Sequence, residues 1–184
     1  MPKVLMPSAT PPEVMDTLYA FYRLKEGGFD PVVAGPEARL FQMVLHEIPP
    51  GWDITRETAG YHLAAEIAFR DVQPEEYAGL FLTGGRAPEY IRYDEHLLAA
   101  VRHFFETGKP VCSVCHGAEL PAAADVIHGR RMATVAKCKL DVELSGGVYV
   151  NEGVVRDGNL VSGRTWHDQH LYMPVFLEML RAAP

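Results

Sequence analysis

The sequence predicts an α/β protein in which helices pack on both faces of a mostly parallel central sheet. Short apolar runs alternate with segments of helical periodicity almost to the C-terminus. Glycines close several of these segments, as Gly84 and Gly85 do after one apolar run and Gly108 does after a helical one. The 184 residues fit one core of ordinary size, so a single domain over 1–184 is expected.

The predicted strands are short apolar runs, and they cover residues 4–6, 29–34, 77–83 and 109–114. A hairpin over 154–161 turns at Asp157 and Gly158, a pair typical of tight two-residue turns. The least regular part of the chain is 36–74, with a turn at 49–52. Short strands are expected in this part over residues 43–48 and 61–65.

Helices are predicted where apolar residues recur every three or four positions. The first opens at Pro11 and Pro12 and ends at Gly27, and its inner face is expected to carry Val14, Leu18, Phe21 and Tyr22. Further helices are predicted over residues 97–105 and 117–127. A C-terminal helix is expected to bury Leu171, Val175 and Met179.

Composition narrows the classes of partner. The 17 basic and 24 acidic residues give a net charge of −7, which disfavours nucleic acid because phosphate binding needs clustered Lys and Arg. No apolar run approaches the length of a membrane span, and the N-terminus shows no secretory signal. Three cysteines, an odd and low count, indicate free thiols in a reducing compartment, and we expect the cytoplasm.

Cys115 is the strongest candidate for a catalytic residue. A buried strand ends at Val114 and a helix begins about two residues later, so Cys115 is expected on a sharp, exposed turn. The N-terminus of that helix favours a thiolate, which would make Cys115 nucleophilic near neutral pH. His116 can supply acid–base chemistry, and its backbone N–H can stabilise an oxyanion. The alternative is that Cys115 is a small buried core residue.

The other cysteines are weaker candidates. Cys112 and Cys115 form a Cys-x-x-Cys pattern that also occurs in redox and zinc sites. Because side chains alternate along a strand, we expect the two thiols to point apart. Cys138 is interpreted as solitary and structural, and neither a metal nor a cofactor is expected.

A second candidate segment follows the strand over 77–83. Gly84 and Gly85 allow backbone amides to approach a ligand closely, so the Gly85 N–H is a candidate oxyanion donor. The alternative is a plain turn, with Glu89 as a solvated carboxylate. Open parallel sheets bind their ligands at this end of their strands.

Four blocks of sequence resemble the PfpI/ThiJ family of intracellular protease-like proteins, which is related to class I glutamine amidotransferases. They are Tyr22–Gly28, Gly84–Glu89, Gly108–Gly117 and Val155–Arg164, and they follow the family order over nearly the whole chain. The resemblance implies a flavodoxin-like three-layer sandwich without a cofactor. It also implies self-association into a homodimer or a larger assembly such as a hexamer.

The resemblance also implies roles for individual residues. Cys115 would be the nucleophile and His116 its neighbour. Glu89 would orient the histidine of another subunit, and Glu13 would donate a hydrogen bond to the cysteine sulfur. Such a donor must be protonated, and burial would raise its pKa. Without the resemblance, Glu13 is an ordinary acidic residue in the first turn of a helix.

Two segments differ from the family pattern or add polar groups. Val135 stands where relatives often carry Tyr or His, and its side chain cannot transfer a proton. The run from Trp166 to His170 holds two histidines, His167 and His170, which alone are weak support for a metal. A polar helix N-terminus capped by Asp168 is the preferred interpretation.

Three functions are considered. The first is hydrolysis of a peptide or amide through Cys115, with Gly85 and His116 amides holding the oxyanion. The second is glyoxalase- or deglycase-type chemistry on α-oxoaldehydes such as methylglyoxal, in which Cys115 forms a hemithioacetal and Glu13 moves the proton. The third is a non-enzymatic oxidative-stress sensor that uses Cys115. The resemblance favours the first, with the second close behind.

Overall fold

The computed structural model describes residues 1–183. Eleven strands are formed in this range: β1 (Lys3–Pro7), β2 (Asp30–Gly35), β3 (Leu40–Glu47), β4 (Arg56–Ala64), β5 (Ile67–Ala68), β6 (Tyr77–Leu82), β7 (Val111–Val114), β8 (Arg131–Met132), β9 (Val148–Tyr149), β10 (Val155–Asp157) and β11 (Leu160–Gly163). Seven of them build a central sheet in the order β10-β11-β7-β6-β1-β2-β5. All neighbours in this sheet are parallel except β10 and β11, which form the predicted hairpin. The mostly parallel sheet is therefore confirmed.

Six helices accompany the strands: α1 (Val14–Glu26), α2 (Ala87–Ile91), α3 (Glu95–Glu106), α4 (Glu119–Ala123), α5 (Lys139–Leu144) and α6 (Gln169–Ala182). Helices α1 and α6 contribute to one buried cluster, and α3, α4 and α5 contribute to another on the opposite face of the sheet. This is the expected flavodoxin-like three-layer sandwich. None of the helices within residues 1–183 is long and apolar enough to cross a membrane.

Strand β6 is covered by helices on both faces, which explains its apolar sequence. Leu80 and Leu82 pack in the cluster with α3 and α4, whereas Phe81 packs in the cluster with α1 and α6. All three side chains are completely buried. Because alternate residues of a strand face opposite layers, a strand covered on both sides needs an apolar residue at each position.

The buried faces of α1 and α6 differ from the predicted ones. In α1, Tyr22 is 60% exposed, and the buried face includes two polar residues, Asp16 and Thr17. In α6, Leu171 is 40% exposed, while Tyr172 and Phe176 are fully buried. Helical periodicity located both helices, but the predicted inner faces did not include the buried polar pair of α1 or the buried aromatic residues of α6.

The predicted helix over 117–127 is shorter in the structure. A 3₁₀ turn over Cys115–Ala118 leads into α4, which ends at Ala123. Asp125 then adopts a left-handed backbone with φ of +60°, a conformation that interrupts an α-helix.

The irregular segment 36–74 contains a hairpin that stands apart from the central sheet. Strands β3 and β4 pair with each other in antiparallel fashion and are longer than the two strands predicted at 43–48 and 61–65. Phe41 and Met43 of β3 are buried against the α1 and α6 layer, whereas β4 is mostly exposed. The weak apolar pattern of β4 explains why its length was underestimated.

Candidate active site

The candidate site lies at the carboxyl ends of β6 and β7, where open parallel sheets bind ligands. Cys115 follows β7 directly, and Gly84 and Gly85 come just after β6. A cleft of about 870 Å³ opens at the thiol. Its lining residues are His46, Glu47, Ile48, Thr55, Glu57, Arg86, Glu89, Cys115, His116, Val135, Lys137, Thr165, Trp166 and His167.

The backbone of Cys115 adopts a strained conformation. Its φ is +56°, in the left-handed region that a residue with a Cβ rarely occupies. The Thr134 hydroxyl donates a buried hydrogen bond of 2.6 Å to the Cys115 carbonyl oxygen and so holds this turn. Gly117 allows the turn to lie against β6, because a Cβ there would be 2.9 Å from the Leu82 carbonyl carbon.

The Cys115 sulfur is buried among polar groups. His116 Nδ1 lies 3.4 Å from Sγ, and the backbone N–H groups of His116 and Gly85 lower the pKa of the thiol. Burial and the neighbouring Asp16 carboxyl raise the pKa of the Cys115 thiol well above its usual range, and the two N–H groups oppose this only in part. Burial therefore acts against the thiolate that the helix N-terminus was expected to favour.

Asp16 is the acid that faces the thiol, although the sequence did not single it out. A Cβ on Gly84 would contact Asp16 Oδ2 and would lie 3.1 Å from Cys115 Sγ, so the two side chains meet there. Asp16 is fully buried, and neither carboxyl oxygen has a nitrogen or oxygen donor among residues 1–183. Burial, followed by the Glu13 carboxyl, raises the pKa of Asp16 well above its usual value. This shift favours the protonated form of the Asp16 carboxyl.

Glu13, expected to bond the Cys115 sulfur, has its carboxyl at the start of α1. Its Oε2 accepts a hydrogen bond of 2.6 Å from the Asp16 backbone N–H, so Glu13 caps α1. Burial raises the pKa of Glu13, while that hydrogen bond opposes the shift. Because Glu13 and Asp16 are three residues apart at a helix start, the sequence alone could not tell which carboxyl would reach the sulfur.

His116 and Glu89 line the same cleft within one chain. Burial lowers the pKa of His116, the Glu89 carboxylate opposes this, and the Lys137 ammonium reinforces it. Glu89, in α2, also lies 3.4 Å from Nε and Nη2 of Arg86. Within one chain the Glu89 carboxylate raises the pKa of His116, and its role toward the histidine of another subunit stays a prediction.

The remaining polar predictions have mixed outcomes. Val135 lines the cleft as an apolar residue, in the place where relatives were expected to carry a polar one. Asp168 does not cap α6, because its carboxylate binds Arg164 at 2.8 and 3.0 Å. Thr165 instead accepts the His167 backbone N–H. His167 and His170 are both exposed, and only His167 reaches the cleft.

All three cysteines are free thiols and all are buried. Cys112 and Cys115 belong to the same apolar cluster. The expectation that the two thiols point to opposite layers is therefore wrong. The left-handed turn at Cys115 breaks the alternation of the strand. Cys138 is not solitary, since its Sγ lies 3.8 Å from Glu119 Oε1.

Comparison with known proteins agrees with the resemblance in the sequence. The DJ-1/PfpI family profile matches residues 2–179. A deglycase of Thermococcus kodakarensis is 36% identical over 179 residues, which is 97% of this chain and 99% of the relative. The deglycase PfpI of Pyrococcus furiosus is 31% identical with the same coverage. A ThiJ/PfpI domain protein from Brachyspira murdochii has the same fold, with a TM-score of 0.83 at 14% identity over 99% of this chain and 98% of that one. The chain belongs to the DJ-1/PfpI family.

Proposed function

We propose that this chain is a cysteine-dependent enzyme that acts on α-oxoaldehydes or their adducts, in the manner of a deglycase or glyoxalase. The observation that carries the proposal is the Cys115 thiol facing the buried Asp16 carboxyl across Gly84. Relatives over nearly the full chain are named deglycases, which supports this function. Peptide or amide hydrolysis, the function first favoured, has support only from the family as a whole.

The first step is addition of the thiol to an aldehyde. The Cys115 sulfur forms a bond to the aldehyde carbon, and the carbonyl π electrons move to oxygen. The N–H groups of Gly85 and His116, which favour the ionised sulfur, are the proposed donors to that oxygen. The thiol proton passes through the Asp16 carboxyl to the new oxygen, which gives a neutral hemithioacetal.

The second step moves a proton between neighbouring carbons. Burial keeps His116 neutral near pH 7, so its imidazole can accept the proton from the carbon that bears sulfur. The electron pair forms an enediol, and reprotonation at the adjacent carbon gives a hydroxyacyl thioester. Water then cleaves the thioester and restores the thiol. For methylglyoxal the sum is one aldehyde plus one water giving lactate, with no external oxidant or reductant.

Three further expectations belong to this proposal. The left-handed Cys115 between β7 and a helical turn supports its description as a nucleophile elbow. Homo-oligomer formation is supported by Tyr90 and Tyr93, which are 61% and 76% exposed beside Glu89. The three free thiols favour a reducing compartment, for which we propose the cytoplasm.

The test compares wild type with Cys115→Ala and Cys112→Ala. Each protein is incubated with methylglyoxal, with methylglyoxal-treated N-acetyl-lysine and with fluorogenic peptide amides. Lactate formation that disappears in Cys115→Ala and persists in Cys112→Ala is the expected result. Amide cleavage that depends on Cys115, without lactate, would replace the proposal by the hydrolase function.

A further inference from the structure

A second cluster of reactive side chains lies beside the nucleophile. His116, Glu119 and Cys138 each offer one metal-ligand atom, and these three atoms lie within 4.8 Å of one another. Cys138 Sγ lies 3.8 Å from Glu119 Oε1. The mechanism proposed above uses His116 but neither Glu119 nor Cys138.

Separate elements bring the three residues together. His116 belongs to the 3₁₀ turn after β7, and Glu119 is the first residue of α4. Cys138 ends a 3₁₀ turn over Ala136–Cys138 that precedes α5. Glu119 is only 5% exposed and Cys138 only 1%, so both ligand groups are held inside the protein.

Glu119 carries an unsatisfied oxygen. Its buried Oε2 has no hydrogen-bond partner among residues 1–183, and the nearest cation is Arg92, whose Nη1 lies 3.4 Å away. The same Arg92 nitrogen donates at 3.2 Å to Asp141. Asp141 can therefore balance the Arg92 charge if Glu119 binds another cation. The other carboxyl oxygen of Glu119, Oε1, faces the Cys138 thiol, a weak donor that a metal ion could replace.

The chemistry of the set points to one class of ion. Thiolate sulfur, imidazole nitrogen and carboxylate oxygen are the ligands that Zn²⁺ takes in proteins. Two anionic ligands and one neutral imidazole balance the charge of a divalent cation. Metal binding would take the place of the Cys138 thiol proton.

We propose that His116, Glu119 and Cys138 form a three-ligand Zn²⁺ site next to Cys115, with a fourth position open to water. Zn–ligand bonds of about 2.0–2.3 Å require the three atoms to draw closer by small side-chain rotations. His116 belongs to this site and to the proposed reaction. Metal binding therefore immobilises the imidazole and inhibits turnover. The binding itself does not depend on which reaction Cys115 catalyses.

The test uses Co²⁺ as a spectroscopic substitute for Zn²⁺ in full-length Cys115→Ala, where the nucleophile cannot supply the sulfur ligand. One equivalent of Co²⁺ should produce a thiolate-to-metal charge-transfer band, and added Zn²⁺ should abolish it. The band should be lost when Cys138→Ala is added and retained when Cys112→Ala is added, since Cys112 lies in the core of β7. Glu119→Gln, a near-isosteric change, should weaken binding by roughly tenfold or more.

Circular dichroism of each variant shows that it is folded before titration, and Glu119→Gln serves if Cys138→Ala does not fold. Failure of folded Cys115→Ala to give the band overturns the proposal. A band that survives Cys138→Ala, or affinity that is unchanged by Glu119→Gln, overturns it as well. Failure of the lactate assay alone would leave the metal site intact.

Discussion

The Asp16 carboxyl and the Cys115 thiol meet across the Cα of Gly84, where there is no room for another side chain. Burial raises the pKa of both groups; the Asp16 carboxyl raises the pKa of the thiol further, whereas the hydrogen bond with Cys115 lowers the pKa of Asp16 in part. The pair therefore holds its protons together, and the thiol becomes reactive when a substrate oxygen can accept one of them.

Gly84→Ala should separate this pair. The new Cβ would stand 2.6 Å from Cys115 Cβ and would also contact the Asp16 carboxyl, so at least one side chain must move. We expect lactate formation to fall by about 10²-fold, because a displacement of about 1 Å is enough to disrupt a reacting pair. Overpacking should also cost about 1–3 kcal/mol of unfolding free energy.

Gly28→Ala is the matched control for that change. Gly28 has φ of +87°, and nothing lies within 4 Å of an added Cβ, so the variant loses about 1–2 kcal/mol through backbone strain alone. Its activity should match wild type at a temperature where both are folded. Equal losses of activity in both variants would show that stability, and not the Asp16–Cys115 pair, governs the rate.

Asp16→Asn should change how stability depends on pH. The folded pKa of Asp16 lies well above 3.8, whereas the unfolded chain ionises near that value. As pH rises above that value, the unfolded state loses a proton that the folded state keeps, so the wild type loses stability. The asparagine cannot titrate, and the stability difference should shift in favour of the variant as pH rises.

Urea unfolding from about pH 4 to about pH 8 measures this difference between wild type and variant. The slope is the diagnostic quantity, since the cost of burying an amide is the same at every pH. Parallel curves would contradict a raised pKa for Asp16. In the same variant, lactate formation should fall about 10²- to 10⁴-fold if Asp16 transfers the proton.

Some of this site could be predicted from the sequence. Cys115, His116 and Gly85 directly follow buried strands, and the carboxyl ends of parallel strands converge at one edge of the sheet. Asp16 could not be identified in the same way. It lies on a helix whose apolar residues suggested a different inner face, and Glu13 offered the same chemical group one turn earlier. Cys138 lies beside Glu119 because separate loops pack together, and local sequence patterns do not predict such packing.

Glu89→Gln should lower the pKa of His116 further. The Glu89 carboxylate opposes the effect of burial, and its removal leaves Arg86 and Lys137 as cations in the cleft. The neutral imidazole should then persist to lower pH than in wild type. A histidine-selective NMR titration measures the pKa, with Glu47→Gln as a control in which His116 is unchanged. A His116 pKa that rises in Glu89→Gln would contradict the assignment.

Thr134→Val should release the turn that carries the nucleophile. The change removes the 2.6 Å hydrogen bond to the Cys115 carbonyl and leaves that buried oxygen without its donor. We expect a loss of about 1–3 kcal/mol in unfolding free energy, with reduced activity as Cys115 relaxes. Chemical denaturation and the lactate assay measure the two effects.

Thr107→Val provides the comparison for Thr134→Val. The Thr107 hydroxyl makes the same kind of bond, at 2.6 Å to the His103 carbonyl, but on the exposed surface. Water can replace the lost donor there, so the change should stay within about 0.5 kcal/mol and leave activity unaltered. Similar losses in the two variants would mean that the Thr134 bond has no special role.

The hairpin of β3 and β4 supplies one wall of the cleft through His46, Glu47 and Glu57, while the nucleophile stands on the central sheet. These two parts of the site belong to different sheets, so substitutions in the hairpin need not disturb the strained turn at Cys115. Substrate preference, set by the hairpin, and chemical reactivity, set by the turn at Cys115, could therefore be inherited and altered separately. Under the proposed function, a lineage could change the compounds it converts by altering the hairpin alone, and its catalytic chemistry would pass on unchanged.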